Sequence, residues 1–130
     1  MRQLELVTYI HGSHAVVSVR GELDIATADE FREQLCRARR EASPFLIVDL
    51  SELEFIDSSG LGVLVDLREQ AQAHGGRVVL VAPRRTVTKV LHLTGLDRCF
   101  AIYPTVEAAT TAPDPLSPRI PRPRPASAGS

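Results

Sequence analysis

The run Phe45-Leu46-Ile47-Val48-Asp49-Leu50 constrains the fold more than any other segment. It offers water almost no polar side, so as a strand it must be covered on both faces, as strands of a parallel sheet are. Arg77-Val78-Val79-Leu80-Val81 has the same character. Between the two, Leu61, Leu64, Leu67 and Ala71 recur at helical spacing, and His74-Gly75-Gly76 closes the pattern. A buried strand, a helix and a second buried strand make a right-handed β-α-β crossover.

The rest of the chain extends this unit. Leu4, Leu6, Thr8 and Ile10 alternate with other residues, His11-Gly12-Ser13 turns the chain, and Val16 to Val19 form a second strand that ends at Gly21. This is the pattern of an antiparallel hairpin. Ala28, Phe31, Leu35 and Ala38 then mark a helix, with Thr27 or Asp24 available as its cap and an end before Pro44. A polar link after Leu50 leads to Phe55 and Ile56. Thr86 opens a short helix through Val87, Val90 and Leu91 that stops near Gly95, Cys99 to Tyr103 form a last strand, and Thr105 to Ala112 a closing helix. The order β-β-α-β-α-β-α-β-α predicts an α/β domain with a mixed, largely parallel sheet. A chain of 130 residues, 44% of them hydrophobic, suffices for one domain with its own core.

The composition changes at residue 113. Residues 113–130 hold six of the nine prolines, with Arg119, Arg122 and Arg124 against the single acid Asp114. Such a segment buries too little apolar surface to offset the entropy of ordering, so residues 1–112 are read as the domain and 113–130 as a disordered tail of polyproline character. Without the tail, 12 basic and 15 acidic residues remain, a mildly acidic domain. Net charge of −1, 5% aromatics and no tryptophan leave neither a basic face nor a stacking platform for nucleic acid. The start, M-R-Q-L-E-L, lacks the apolar core of a signal peptide, and no stretch reaches the length of a membrane span. The expected location is the cytoplasm, with Cys36 and Cys99 as reduced, partly buried thiols rather than metal ligands.

One turn carries most of the chemistry. Asp57-Ser58-Ser59-Gly60-Leu61-Gly62 falls where a loop enters a helix. A helix start offers unpaired N–H groups and a partial positive charge, so a small hydroxyl there can cap it, and a phosphate placed on that hydroxyl would meet those donors. Each glycine in a helix costs about 1 kcal/mol relative to alanine, so two in a first turn require a reason. One reason is close approach by another protein; the other is a tight internal helix–sheet contact. Leu61 and Val65 at the start of this helix are candidate contact residues for a partner, although Leu61 also has the period of a core residue. Arg84 and Arg85 after Pro83 form either a basic corner or a solvated loop.

The segment V-D-L-S-E-L-E-F-I-D-S-S-G-L-G-V-L at 48–64 resembles the STAS-domain anti-sigma factor antagonists of bacteria. The resemblance spans about residues 4–110 and includes R-G-E-L-D at 20–24, Gly75-Gly76 and L-T-G-L at 93–96. It implies a single STAS-type domain. It also implies a partner, an anti-sigma factor with serine kinase activity, that phosphorylates the hydroxyl after the motif aspartate, here Ser58. The unphosphorylated protein would bind that partner and free a sigma factor. Phosphorylation would block binding, and a metal-dependent, PP2C-type phosphatase would reverse it. The resemblance places Asp24 close to Ser58, and Asp24, Asp57, Ser59, Gly60, Leu61 and Gly62 frame the expected partner site. It implies no cofactor, no bound metal and no catalytic activity of the chain's own. The alternative is a STAS module that is never phosphorylated and serves as a scaffold in a larger signalling assembly. The oligomeric state is left open.

Other classes fit the residues poorly. Ser58 lacks the G-x-S-x-G elbow of a hydrolase, and His11, His14, His74 and His92 have no catalytic context and read as surface residues near turns and helix ends. A receiver-type phospho-aspartate domain needs paired acids after the first strand, where this chain has His11-Gly12, and a lysine after the last, whereas its only lysine, Lys89, lies inside a helix. No phosphate-binding G-x-x-x-x-G-K-[ST] loop occurs.

Overall fold

In the computed structural model the described residues are 4–111, so the tail predicted from residue 113 lies outside them. β1 (Leu4–His11) and β2 (His14–Leu23) form the expected hairpin, pairing from His11 with His14 to Leu4 with Gly21. The loop is Gly12 and Ser13 alone, and Gly12 takes φ +64°, a value that a two-residue hairpin demands and side chains resist. Then follow α1 (Ala28–Glu41), β3 (Phe45–Ile56), α2 (Ser58–Ala73), β4 (Arg77–Val81), α3 (Arg85–Leu93), a 3₁₀ turn (Leu96–Arg98), β5 (Ile102–Tyr103) and α4 (Val106–Thr111).

The five strands lie side by side in chain order. β1 is antiparallel to β2, and β2 to β5 run parallel. Strands added in one direction through right-handed crossovers place successive helices on the same face. Accordingly Val17, Val19, Leu46, Val48, Leu50, Val78 and Leu80 meet Phe31, Leu35, Leu64, Leu67, Val87 and Leu91 in the main core. Phe31, Leu35, Leu64 and Leu67 are fully buried, and each such side chain contributes about 1.5–3 kcal/mol. On the opposite face Val16, Ile47, Val79 and Val81 pack beneath α4 through Ala109 and Val106. Both faces of β4 and of β3 from Leu46 to Leu50 are covered, which is why those stretches are almost continuously apolar.

Four local expectations are corrected. β2 does not stop at Gly21 but runs to Leu23, because the pairing with β3 shifts register between Ser18 and Arg20 and again between Gly21 and Glu22. Irregular pairing of this kind absorbs the glycine without ending the strand. The polar link after Leu50 is strand as well: Glu52 pairs with Arg20 and Leu53 with Gly21. β4 pairs β3 only as far as Asp49, so the remainder of β3 has one strand neighbour and a face open to water, and it alternates buried Leu53 with exposed Glu52 and Glu54. Cys99 caps the 3₁₀ turn instead of opening a strand, and β5 is only Ile102 and Tyr103. His14 is not a surface residue: it is 7% exposed, its ring 6.0 Å from that of Phe45 and its Nε2 3.4 Å from an Arg77 nitrogen. His74 and His92 are exposed and His11 half-buried; Cys36 and Cys99 are half-buried free thiols.

Candidate functional site

β2 and β3 outrun the rest of the sheet and end side by side, Leu23 against Ile56. The next residues of each chain segment form the site. The Asp57 amide donates to the Leu23 carbonyl at 3.1 Å, tying the loop that enters α2 to the loop that enters α1. This bond brings the neighbourhoods of Asp24 and Ser58 together, although 34 positions of sequence separate those residues.

Asp57 caps α2. Its backbone is extended, with φ −117° and ψ −169°, and its carboxylate accepts from the amides of Ser59 at 2.9 Å and Gly60 at 3.4 Å. Its carbonyl accepts the Leu61 amide at 3.0 Å, the first regular bond of the helix, so one side chain satisfies two of the four donors that a helix start leaves open and the Asp57 amide itself is taken by Leu23. Ser58, the first helical residue, is exposed, and among the described residues its hydroxyl has no hydrogen-bond partner. No charged side chain of α2 itself lies in this first turn.

The two glycines separate into different roles. Gly60 is buried, and a Cβ on it would come within 2.9 Å of both Ile56 Cγ1 and Leu23 Cβ. Its bareness therefore serves the internal contact of α2 with the two strand ends. Gly62 is exposed and faces open space, so it leaves room at the surface beside Ser58. Leu61 is 7% exposed and packs in the main core, while Val65 is half-buried. Of the sequence-derived set, Ser58 and Gly62 face outward, Asp57 and Ser59 are half-buried, and Asp24, Gly60 and Leu61 are buried.

Asp24 builds the adjoining turn. It is 8% exposed, and its Oδ1 accepts from the amides of Ala26 at 2.9 Å and Thr27 at 3.2 Å. Its carbonyl accepts the Ala28 amide at 2.9 Å. Thr27 occupies the cap position of α1, but its hydroxyl turns back to the Glu22 carbonyl at 2.9 Å and caps nothing in the helix. The turn so braced holds Ile25 82% exposed, and Phe55, two residues before Asp57, is 47% exposed.

Sequence reasoning passed over these two apolar side chains. The available signal at Ile25 was an isolated hydrophobe between Asp24 and Thr27, off the stripe of α1; Phe55 was merged with Ile56 into one apolar pair. The basic corner is anchored from Arg84, whose Nε donates to the Ser51 carbonyl at 3.0 Å, while Thr86 Oγ1 donates to the Glu54 carbonyl at 3.4 Å. These bonds hold the start of α3 along the free length of β3. Among the described residues no group of His, Cys, Asp and Glu is placed to hold a metal ion, and no helix is long and apolar enough to cross a membrane.

Comparison with known proteins is consistent along most of the chain. The model of the STAS domain matches residues 5–109. The anti-sigma-F factor antagonist RsfB of Mycobacterium tuberculosis is 32% identical over 101 residues, 78% of this chain and 82% of that protein. The crystal structure of an anti-sigma factor antagonist from Mycobacterium paratuberculosis matches with a TM-score of 0.76 at 34% identity, covering 84% of this chain and 92% of that one. The anti-sigma factor antagonist SpoIIAA in its unphosphorylated form gives 0.68 at 30% identity, covering 85% and 93%. The phosphorylated form of SpoIIAA, a Bacillus cell fate determinant, gives 0.62 at 29% identity, covering 85% and 96%.

Proposed function

The chain belongs to the STAS-domain family, and from that premise we propose that it is a cytoplasmic anti-sigma factor antagonist switched by phosphorylation of Ser58. The observation that carries this reading is the exposed Ser58 hydroxyl at the first position of α2, directly after a cap that already satisfies its neighbours. The relatives named as anti-sigma factor antagonists, and the solution of one of them in two phosphorylation states, support it.

In the unphosphorylated state a partner, an anti-sigma factor that is also a serine kinase, docks on Ser58, Ser59 and Gly62, with Ile25 and Phe55 as apolar contacts. Asp57 and Asp24 hold the two loops in register, and Gly60 and Leu61 seat the helix from beneath. Docking removes the anti-sigma factor from its sigma factor. A phosphate on Ser58 adds about −1.5 to −2 charges. It meets the Asp57 carboxylate, which already takes the Ser59 and Gly60 amides. The phosphate therefore projects outward, and the docking surface gains charge, bulk and a desolvation cost without refolding. A PP2C-type phosphatase restores the neutral hydroxyl. The chain itself acts by binding and performs no catalysis.

Incubation with the cognate anti-sigma kinase and ATP should add one phosphate to the intact mass, and peptide mapping should place it on Ser58. Ser58→Ala should take up none. Ser58→Asp should bind the partner at least tenfold more weakly than Ser58→Ala, about 1.4 kcal/mol. An unmodified chain, or equal affinity of the two variants, would instead favour a scaffold that is not switched.

A further inference from the structure

β1 lies at the margin of the sheet, and among the described residues it pairs with β2 alone. Long edge strands usually carry a lysine, a proline or a bulge that discourages further pairing. Leu4–His11 has no lysine and no proline, and its pairing with β2 is regular over all eight residues. Val7 is 60%, Ile10 56% and Tyr9 42% exposed; no other element of the described residues exposes more than one large hydrophobe. We infer that β1 is a dimer interface, on which a second copy of this chain pairs antiparallel about a two-fold axis at Thr8.

The hairpin sets which backbone groups are available. His11 and His14 close a two-residue loop, so they form a hydrogen-bonded pair. Bonded and non-bonded positions alternate along an antiparallel ladder. Glu5, Val7, Tyr9 and His11 therefore turn their N–H and C=O groups to β2, and Leu4, Leu6, Thr8 and Ile10 turn theirs to the open edge. An axis at Thr8 pairs Thr8 with Thr8 of the second copy and Leu6 with Ile10 of the second copy, outward group to outward group.

The side chains match in the same register. Leu6 meets Ile10 on the face that carries α1. On the other face Val7 meets Tyr9, and Glu5 meets His11, an acid opposite a base. An axis at Val7 would give equal overlap but set Glu5 against Tyr9 and bring no described residue opposite His11. Self-complementarity of this kind is what an isologous interface requires. Ser58 opens α2 at the end of β3, not on this edge. The pairing therefore leaves both copies of the site accessible and does not depend on the function proposed for it.

Sedimentation equilibrium of the full chain, from micromolar to millimolar concentration, tests the interface. The expected result is a mass rising from 14.2 kDa to twice that value. Val7→Lys/Ile10→Lys, both at exposed positions, should weaken the dimer at least tenfold with an unchanged far-ultraviolet circular dichroism spectrum. Amide exchange reads the register without substitution: the amides of Leu6, Thr8 and Ile10 should become protected as the dimer fills, while those of Val7 and Tyr9 are protected throughout. A chain that stays at 14.2 kDa, a dimer indifferent to the lysine pair, or outward amides that exchange equally in both states would overturn the inference.

Discussion

At the scale of single residues, Gly60 and Gly62 stand two positions apart in one helix turn, yet one is bare for the protein's interior and the other for its surface. In Gly60→Ala the new methyl meets Ile56 Cγ1 and Leu23 Cβ at 2.9 Å. Overpacking of this kind costs typically about 1–3 kcal/mol, against a gain of about 1 kcal/mol in helix propensity. Gly60→Ala should lower stability in urea denaturation, or at best leave it level. Gly62→Ala has open space for its methyl, keeps the propensity gain, and should raise stability by about 0.5–1 kcal/mol. The same methyl stands beside Ser58, so Gly62→Ala should bind the partner less well while being the more stable protein. A Gly62→Ala variant with native affinity would remove that position from the docking surface.

At the scale of elements, α2 is held at its start by one side chain and along its length by packing. Asp57→Ala removes the acceptor for the Ser59 and Gly60 amides, and loss of an N-cap costs about 0.5–2 kcal/mol. The carbonyl that holds Leu61 remains, as do buried Leu64, Leu67 and Ala71, so the helix should persist. The expected outcome is a lower denaturation midpoint with unchanged helical signal, and slower phosphorylation of Ser58 as the first turn frays. Asp57→Asn, which keeps an acceptor oxygen, should recover most of the stability. Had the first turn been held by core packing alone, the alanine and asparagine variants would melt together.

At the scale of the whole molecule, the end of the sheet opposite Ser58 contains a buried titratable group. Burial, then the nearby Arg77 charge and then His11, hold the His14 imidazole below its ordinary pKa. The neutral form is therefore preferred in the folded state, and below about pH 6.5 this residue binds a proton more readily in the unfolded chain than in the folded one. The stability that neutral His14 contributes is complete above that pH and is lost as pH falls through it toward the folded-state value. The urea midpoint should decline between pH 7.5 and 5.5, and His14→Gln should flatten that decline. A wild-type profile that is level over this interval would show that His14 protonates without penalty.

What the sequence determined by itself was local and periodic: the hairpin, the two buried parallel strands, the helix stripes, and a hydroxyl at the mouth of α2. These follow from which side chains avoid water at period two or at helical spacing, information carried by neighbours in the chain. Only the tertiary structure decided which of those residues find cover. Leu61 and Gly60 turn inward because the ends of β2 and β3 lie beneath them; Ile25 and Phe55 stay outside because no element of the described residues reaches over that corner. His14 is buried by Phe45 and Arg77, and among the described residues β1 keeps an open edge because the strands add only on its other side. Burial depends on segments far apart in sequence meeting in space, and no local pattern records which of them will meet.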